Sequence, residues 1–184
     1  MIRIRDATTA DAAAIAGIYA PFVSGSPVTF ENDPPGADTI RDRMTADGGL
    51  YPWLVATHES GDVIGYAYAS RFRPRPAYRF AVETSVYLDP DFQGRGIGRA
   101  LYERLLPLLE AQGFAQAVAA ITLPNDPSVG LHEAVGFTPT GLYRRIGYKL
   151  GAWHDVGLWQ RALAPLDDSP GEPHPPARGP IQSR

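Results

Sequence analysis

The chain has 184 residues, of which 44% are hydrophobic and 20% charged, as expected of one globular domain with a sizeable core. Its formal net charge of −3 argues against a general affinity for nucleic acid or membrane surfaces. It contains no cysteine, which excludes disulfides and thiol chemistry, and no stretch approaches the length of a membrane span. We therefore expect a cytoplasmic protein that binds neither nucleic acid nor membranes.

The first half of the chain alternates between extended and helical patterns. Apolar and charged side chains alternate over 2–5, which predicts a strand, and Thr8–Asp11 fits a capping box before an alanine-rich helix. A polar turn at 59–62 separates two apolar runs and predicts a hairpin. The predicted elements are a strand over 2–5, a helix that ends near Val23, a helix over 38–46, and strands over 53–58 and 63–71.

The second half predicts two strand–helix units followed by a hairpin. The predicted elements are a strand over 80–88, a helix from 97 to about 113, an uninterrupted apolar strand over 115–123, a short helix that opens at 125–128 with Asp126 as its N-cap, and strands over 143–148 and 154–163. This order indicates an α+β fold, layered like an α/β protein. Its mixed, mostly antiparallel twisted sheet is flanked by helices on both faces.

The composition changes after Ala164. Residues 165–184 are rich in proline and glycine and hold almost no large apolar side chains. Such a composition buries too little apolar surface to order a chain. We therefore expect a folded domain over 1–164 and a disordered tail over 165–184.

Three glycines stand at a predicted strand–helix junction, in the run Gln93-Gly94-Arg95-Gly96-Ile97-Gly98. Glycine lets backbone approach a ligand closely, and a helix N terminus offers unpaired N–H groups, so the junction suits an anion. It is not a Walker loop, because no Gly-Lys-Ser/Thr closes it, and its spacing departs from the dinucleotide fingerprint. A plain tight turn is the alternative that the residues alone leave open.

The junction resembles the acetyl-CoA pyrophosphate loop of the GNAT acetyltransferases, with Gln93, Gly96 and Gly98 at the motif positions. Four further stretches are similar to the phosphinothricin N-acetyltransferase branch of that family. They are YPWLVA at 51–56, EAQGF at 110–114, LPNDPSVGLHEAVGF at 123–137 and WHDVGLWQ at 153–160. The resemblance spans nearly the whole predicted domain, and it is more specific for the branch than for the acceptor.

The resemblance implies a GNAT fold and an enzyme that transfers acetyl from acetyl-CoA to the amino group of a small amino-acid-like substrate, by direct attack in a ternary complex. It also implies a homodimer. Phosphinothricin is the expected acceptor, with methionine sulfoximine, methionine sulfone or another small amine as alternatives. A protein amine as acceptor and a non-catalytic acyl-CoA-binding module stay open. No cluster of residues has metal-ligand spacing, so we expect no metal.

A set of backbone and side-chain groups is expected to hold acetyl-CoA. The loop amides would bind the pyrophosphate and the strand edge at 86–88 would pair with the pantetheine arm, as the resemblance implies. Arg95 and Arg99 would add charge-assisted hydrogen bonds, unless they are plain surface residues. Asn125 would bond the arm, unless it serves only as a helix-entry residue. The expected residues are Val86, Tyr87, Leu88, Gln93, Gly94, Arg95, Gly96, Ile97, Gly98, Arg99, Asn125 and Ser128.

Two titratable residues are candidates for the chemistry. Glu83 matches the glutamate that serves as general base in the family, and burial among aromatic residues would raise its pKa. A strand glutamate that faces solvent or pairs with an arginine is the alternative. His132 stands where many family members carry a tyrosine near the sulfur, and an imidazole could protonate the leaving thiolate. A packed histidine without a chemical role is the alternative there.

Two further sets of residues complete the prediction. The loop over 71–79 carries four arginines, and guanidinium groups bind carboxylate and phosphinate in bidentate fashion, so Arg73 and Arg75 are expected to bind the acceptor. Phe30 and Tyr78 are the expected walls of the acceptor pocket. The alternative for the arginine loop is a run of solvated charges. His154 and Asp155 are expected to be structural, because adjacent strand residues point to opposite faces.

Overall fold

The computed structural model describes residues 2–166 and 170–176, and it places seven strands in one sheet with helices on both faces. The predicted fold class is confirmed. No helix in the described part of the chain is long and apolar enough to cross a membrane. The strands are β1 (Arg3–Asp6), β2 (Trp53–Thr57), β3 (Val63–Arg71), β4 (Ala81–Leu88), β5 (Gln116–Leu123), β6 (Thr138–Lys149) and β7 (Ala152–Ala162); the helices are α1 (Ala12–Gly25), α2 (Ala37–Thr45), α3 (Ile97–Ala111) and α4 (Asp126–Ala134).

The sheet is antiparallel except at its centre. The strand order is β1-β2-β3-β4-β5-β7-β6, and β4 with β5 is the parallel pair. These two strands pair only where 81–83 lies beside 116–118. Beyond that point β4 stays with β3 as far as Leu88, and β5 stays with β7 as far as Leu123. The two halves of the sheet therefore separate, and a gap opens between β4 and β5.

Alternation along β4 sends its side chains to two different layers. Tyr87 packs against Tyr19 and Phe22 of α1, with ring centroids 4.9 and 5.3 Å apart. The Thr84 hydroxyl faces Tyr102 of α3 instead. Because strand side chains alternate, Glu83 shares the α1 side with Tyr87, and Thr84 belongs to the α3 side.

Two boundaries differ from the sequence prediction. Asn125, not Asp126, is the N-cap of α4: its side chain accepts the Ser128 amide at 3.2 Å. Strand β6 begins at Thr138, five residues before the predicted start, and it lies at the edge of the sheet. Its first residues are exposed, so burial imposes no apolar alternation that would have marked them as a strand.

Part of the predicted disordered tail packs on the domain. The carboxylate of Glu172 accepts hydrogen bonds from Arg79 at 2.8–3.0 Å. The buried side-chain amide of Gln112 donates to the carbonyls of Leu50 and His174, both at 2.8 Å. Over 170–176 the tail is thus attached by polar bonds, which a composition poor in apolar residues does not reveal. Residues 167–169 and 177–184 lie outside the described part of the chain.

Candidate active site

The gap between β4 and β5 holds a cleft of about 550 Å³. The end of β4 forms one wall, the junction before α3 closes the outer end, and Asn125 with Ser128 of the α4 entry forms the other wall. A smaller cavity of about 120 Å³ continues inward to Thr84, Ile121 and His132. Every residue predicted to bind the cofactor lines this space, with the exception of Arg95.

The glycines of the junction have two different functions in the fold. Gly94 and Gly96 adopt φ values of +72° and +76°, which other residues rarely tolerate, and Gly96 is the N-cap of α3. A Cβ on Gly98 would lie 3.0 Å from a methyl of Leu131, so this glycine lets α4 approach α3 closely. The first amides of α3 have no preceding turn to bond, and Ile97 and Gly98 both line the cleft. The junction therefore offers free N–H groups to an anion.

The two junction arginines differ in orientation. Arg99 lines the cleft, and its Nε donates to Glu103 at 2.8 Å on the same helix face. Arg95 donates to the backbone carbonyl of Asp91 at 2.8 Å and lies over the ring of Phe92. The Arg95 side chain thus supports the loop that precedes α3.

Glu83 is half-buried on the α1 side of the sheet, at the point where β4 and β5 separate. Burial raises the pKa of its carboxyl group above the ordinary glutamate value, and the positive charge of Arg73 partly opposes that rise. Tyr68 of β3 lies on the same face, opposite Ser85 in the strand register, and is electrostatically coupled to Glu83. Sequence analysis did not single out Tyr68, although the register of a β3–β4 hairpin would have placed it there.

His132 is buried, and both of its ring nitrogens have partners. Nδ1 lies 2.7 Å from the carbonyl oxygen of Ser128, which can only accept, so Nδ1 carries the proton. Nε2 then accepts from the Tyr102 hydroxyl at 2.9 Å. Burial lowers the pKa of His132, and the bond to Ser128 opposes this in part. The ring is therefore neutral near pH 7. Tyr102 is a second residue that sequence analysis missed, because its spacing along the helix predicts an ordinary core residue.

The residues predicted to bind the acceptor are not gathered in one place. Arg73 is close enough to Glu83 to influence its charge, and with Arg75 it lines a separate cavity of about 340 Å³ at the opposite end of β4 from the glycine junction. Tyr78 is 43% exposed and packs edge-on against Phe72. Phe30 lies against the β6–β7 hairpin.

His154 and Asp155 each bond to backbone. His154 Nε2 lies 3.0 Å from the carbonyl oxygen of Lys149, and Asp155 accepts the Arg145 amide at 2.7 Å. Arg145 adopts a φ of +49°, so Asp155 holds a turn within the hairpin. Among the described residues no group of three or more metal-binding side chains comes together.

Comparison with known proteins defines the class of this fold and cleft. Residues 18–137 match the model of the acetyltransferase (GNAT) family, and the chain belongs to that family. It is similar to members of particular branches. A phosphinothricin N-acetyltransferase of Streptomyces viridochromogenes is 45% identical over 174 residues, which cover 95% of this chain and 92% of the relative. An L-methionine sulfoximine/L-methionine sulfone acetyltransferase of Pseudomonas aeruginosa is 36% identical over 170 residues, or 91% and 98% of the two chains.

A solved structure supports the same assignment. The crystal structure of a phosphinothricin acetyltransferase from Sinorhizobium meliloti in complex with AcCoA superposes with a TM-score of 0.84 at 43% identity, and covers 88% of each chain. The resemblance inferred from the glycine junction and the four sequence stretches is confirmed, and so is the prediction that the protein is an acetyltransferase.

Gly96→Ala should weaken acetyl-CoA binding. Among the described residues the added methyl group meets no atom within 4 Å, but it adds a side chain to a left-handed residue at a cost of roughly 1–2 kcal/mol. Relief of that strain turns the junction amides away from the anion, and a loss of that size is roughly 5–30-fold in affinity. Titration calorimetry with acetyl-CoA measures it. Gly130→Ala, in the exposed middle of α4, is the matched control. An unchanged dissociation constant in Gly96→Ala would exclude the junction as the pyrophosphate site.

Proposed function

We propose that this protein transfers the acetyl group of acetyl-CoA to the primary amine of a small amino-acid-like acceptor. One observation carries the proposal: the half-buried Glu83 stands at the last paired position of β4 and β5, and the glycine junction lines the cleft that opens beyond that position. The cleft residues fit acetyl-CoA, since free amides stand at the phosphate end and a strand edge runs along the wall. Similar relatives carry the names of amino-acid acetyltransferases, in support of the acceptor class.

Residues of β4 supply the groups proposed for the chemistry. Acetyl-CoA supplies an activated thioester, and the acceptor nitrogen bonds to its carbonyl carbon as the carbon–sulfur bond breaks. Glu83, with its raised pKa, takes the proton that the amine must lose. A backbone N–H of β4, from Val86 or Leu88, stabilises the oxyanion. The departing thiolate ends the reaction when it gains a proton.

The acceptor is proposed to be phosphinothricin or a close analogue. Such a molecule carries a carboxylate and a second acidic group, and Arg73 is a cation coupled to the proposed base. Arg75, Phe30 and Tyr78 complete the proposed acceptor site. Methionine sulfoximine and methionine sulfone are the second candidates, because a relative at 36% identity bears their names.

A panel of acceptors tests this function directly. Thiol release from acetyl-CoA is measured with phosphinothricin, methionine sulfoximine, methionine sulfone, common amino acids, a polyamine and a lysine peptide. Turnover restricted to the first three supports the proposed acceptor class. Turnover of the peptide or the polyamine would replace that class, and acetyl-CoA binding without any turnover would leave an acyl-CoA-binding module.

Glu83→Gln should lower kcat by roughly 10²–10⁴-fold, because the amide cannot accept the proton of the amine. The affinity for acetyl-CoA should stay within twofold, since Glu83 does not line the cleft at the junction. In the parent enzyme the acidic limb of the rate profile should lie above pH 4.5, in the direction of the raised pKa. Steady-state kinetics over pH measure both effects. Equal kcat in the variant would remove Glu83 from the role of base.

The geometry supports a positioning role for His132 over proton donation. To protonate the thiolate, the ring would have to release either the Ser128 carbonyl or the Tyr102 hydroxyl. Its lowered pKa also keeps the cationic form scarce near neutral pH. In the bonded arrangement His132 fixes the first turn of α4, and with it the residues of the cleft wall at 125–128.

His132→Asn should therefore raise the KM for acetyl-CoA by roughly tenfold, since loss of a buried hydrogen-bonded partner costs about 1–3 kcal/mol. The alkaline limb of the pH profile should not move. Tyr102→Phe is the matched variant: it keeps the imidazole and removes its partner, so KM should change in the same direction. A fall in kcat of two orders of magnitude, together with a shifted alkaline limb, would show proton donation instead.

We also propose a homodimer, which the family resemblance implies, and a cytoplasmic location, which the sequence predicts. The β6–β7 hairpin exposes several large apolar side chains. Isolated apolar residues on a surface need no explanation, but a group of them is typical of an interaction site. The exposed side chains are Leu142, Tyr143, Ile146, Tyr148, Leu150 and Trp153. Light scattering should give about twice the chain mass of 19.9 kDa. A mass of one chain would contradict the dimer.

A further inference from the structure

The segment that follows α1 crosses the mouth of the cleft on the side opposite α4. We define it as the roof loop, residues 26–31. Val28 lines the cleft together with Val86 and Asn125, whereas Phe30 reaches across to the β6–β7 hairpin. The loop therefore bridges the two halves of the sheet on the side where Glu83 lies. Val28 also lines the smaller cavity together with Thr84 and Ser85, the two residues that follow Glu83, so the loop borders the space next to the proposed base.

The roof loop is fixed on its inner side by helices α1 and α2. The Tyr19 hydroxyl lies 2.6 Å from Thr29 Oγ1 and donates to Glu31 at 3.0 Å. Burial raises the pKa of Tyr19 to about 12, so the hydroxyl keeps its proton. Arg43 of α2 donates to both carboxylate oxygens of Glu31, at 2.7 and 2.9 Å. These bonds hold the loop to its own half of the sheet.

Strand β6 holds the roof loop from the other half. The Lys149 ammonium donates to the carbonyl oxygen of Thr29 at 2.7 Å, across 120 positions of sequence. Lys149 is the only lysine in a chain with 16 arginines, and it is 6% exposed. A compact ammonium fits a buried point contact with one carbonyl, which a planar guanidinium fork does not. His154 of β7 bonds the carbonyl of the same residue and fixes its backbone.

A glycine two residues earlier completes the contact. A Cβ on Gly147 would lie 2.1–2.7 Å from three ring carbons of Phe30, so the ring rests directly on this backbone. Gly147 has no positive φ, and an alanine there would displace Phe30 without straining the strand. Gly141, in the same strand, differs: within the described part of the chain its Cβ would meet only a methyl of Leu158 at 3.7 Å, an ordinary contact.

We infer that Gly147 and Lys149 of β6 are positioning residues that set acceptor selectivity, because together they fix the position of the roof loop at the proposed acceptor site. This rests on the proposed function and deepens it. Displacement of Phe30 changes the size of the acceptor site on the Glu83 side. Gly147 and Lys149 contact Phe30 and Thr29, whereas Val28 is the loop residue that shares the cleft with the glycine junction, so we expect the junction to keep its affinity for acetyl-CoA.

The test compares four full-length proteins: the parent, Gly147→Ala, Lys149→Met and Gly141→Ala. For Gly147→Ala and Lys149→Met, the KM of the preferred acceptor should rise about tenfold, the size expected when a wall of a small pocket moves by a methyl group. The KM ratio between a bulkier and a smaller acceptor should also change. Gly141→Ala should match the parent, and acetyl-CoA affinity by calorimetry should stay within twofold in all four.

Each other outcome overturns the inference. Parent-like acceptor KM in Gly147→Ala would show that Phe30 moves without consequence, whatever Lys149→Met does to folding. Equal loss of acetyl-CoA affinity would indicate general damage to the cleft. If the parent itself turns over no acceptor, the proposed function fails first. If the parent is active and the variants equal it, only this inference fails.

Discussion

The separation of β4 from β5 after three paired residues is the constraint on which the site depends. Inside a continuous sheet, every backbone N–H and C=O of a central strand is committed to its neighbours. The departure of β5 with β7 frees the inner edge of β4 from Thr84 to Leu88. A ligand with an extended polar arm can complete that edge as a strand would. The cost of unpaired backbone is offset by exposure to the cleft, where water or ligand can satisfy it.

The same gap also separates two kinds of chemistry. The alternation of β4 puts Glu83 and Tyr87 toward α1, and Thr84 toward Tyr102 and the imidazole of His132. One face thus holds the carboxyl group of Glu83, whose pKa is raised by burial, with partial opposition from the positive charge of Arg73. The other holds a neutral histidine with saturated hydrogen bonds. The titratable Glu83 and the fully hydrogen-bonded His132 therefore lie on opposite sides of β4.

Much of this arrangement could be predicted from local patterns. Alternation over 80–88 fixes which residues share a face, and the glycines at 94, 96 and 98 mark the strand–helix junction at which α3 begins. Longer-range relations were not accessible. The Lys149–Thr29 bond joins residues 120 positions apart, and Tyr102 is indistinguishable from core by spacing. The exposed start of β6 carries no apolar alternation, and the attachment of 170–176 relies on polar bonds. The position of Arg73 relative to Glu83 likewise depends on the path of a whole loop.

The burial of Lys149 has a consequence for a protein whose donor is a reactive thioester. Thioesters acetylate exposed lysine side chains without a catalyst, and an enzyme that binds acetyl-CoA holds such a reagent at its own surface. This chain carries a single ε-amine, 6% exposed and hydrogen-bonded to a backbone carbonyl. Every other basic side chain of fixed positive charge is an arginine, whose guanidinium stays protonated and is a poor nucleophile. Burial and the hydrogen bond to Thr29 thereby shield the one lysine of the chain from non-enzymatic acetylation.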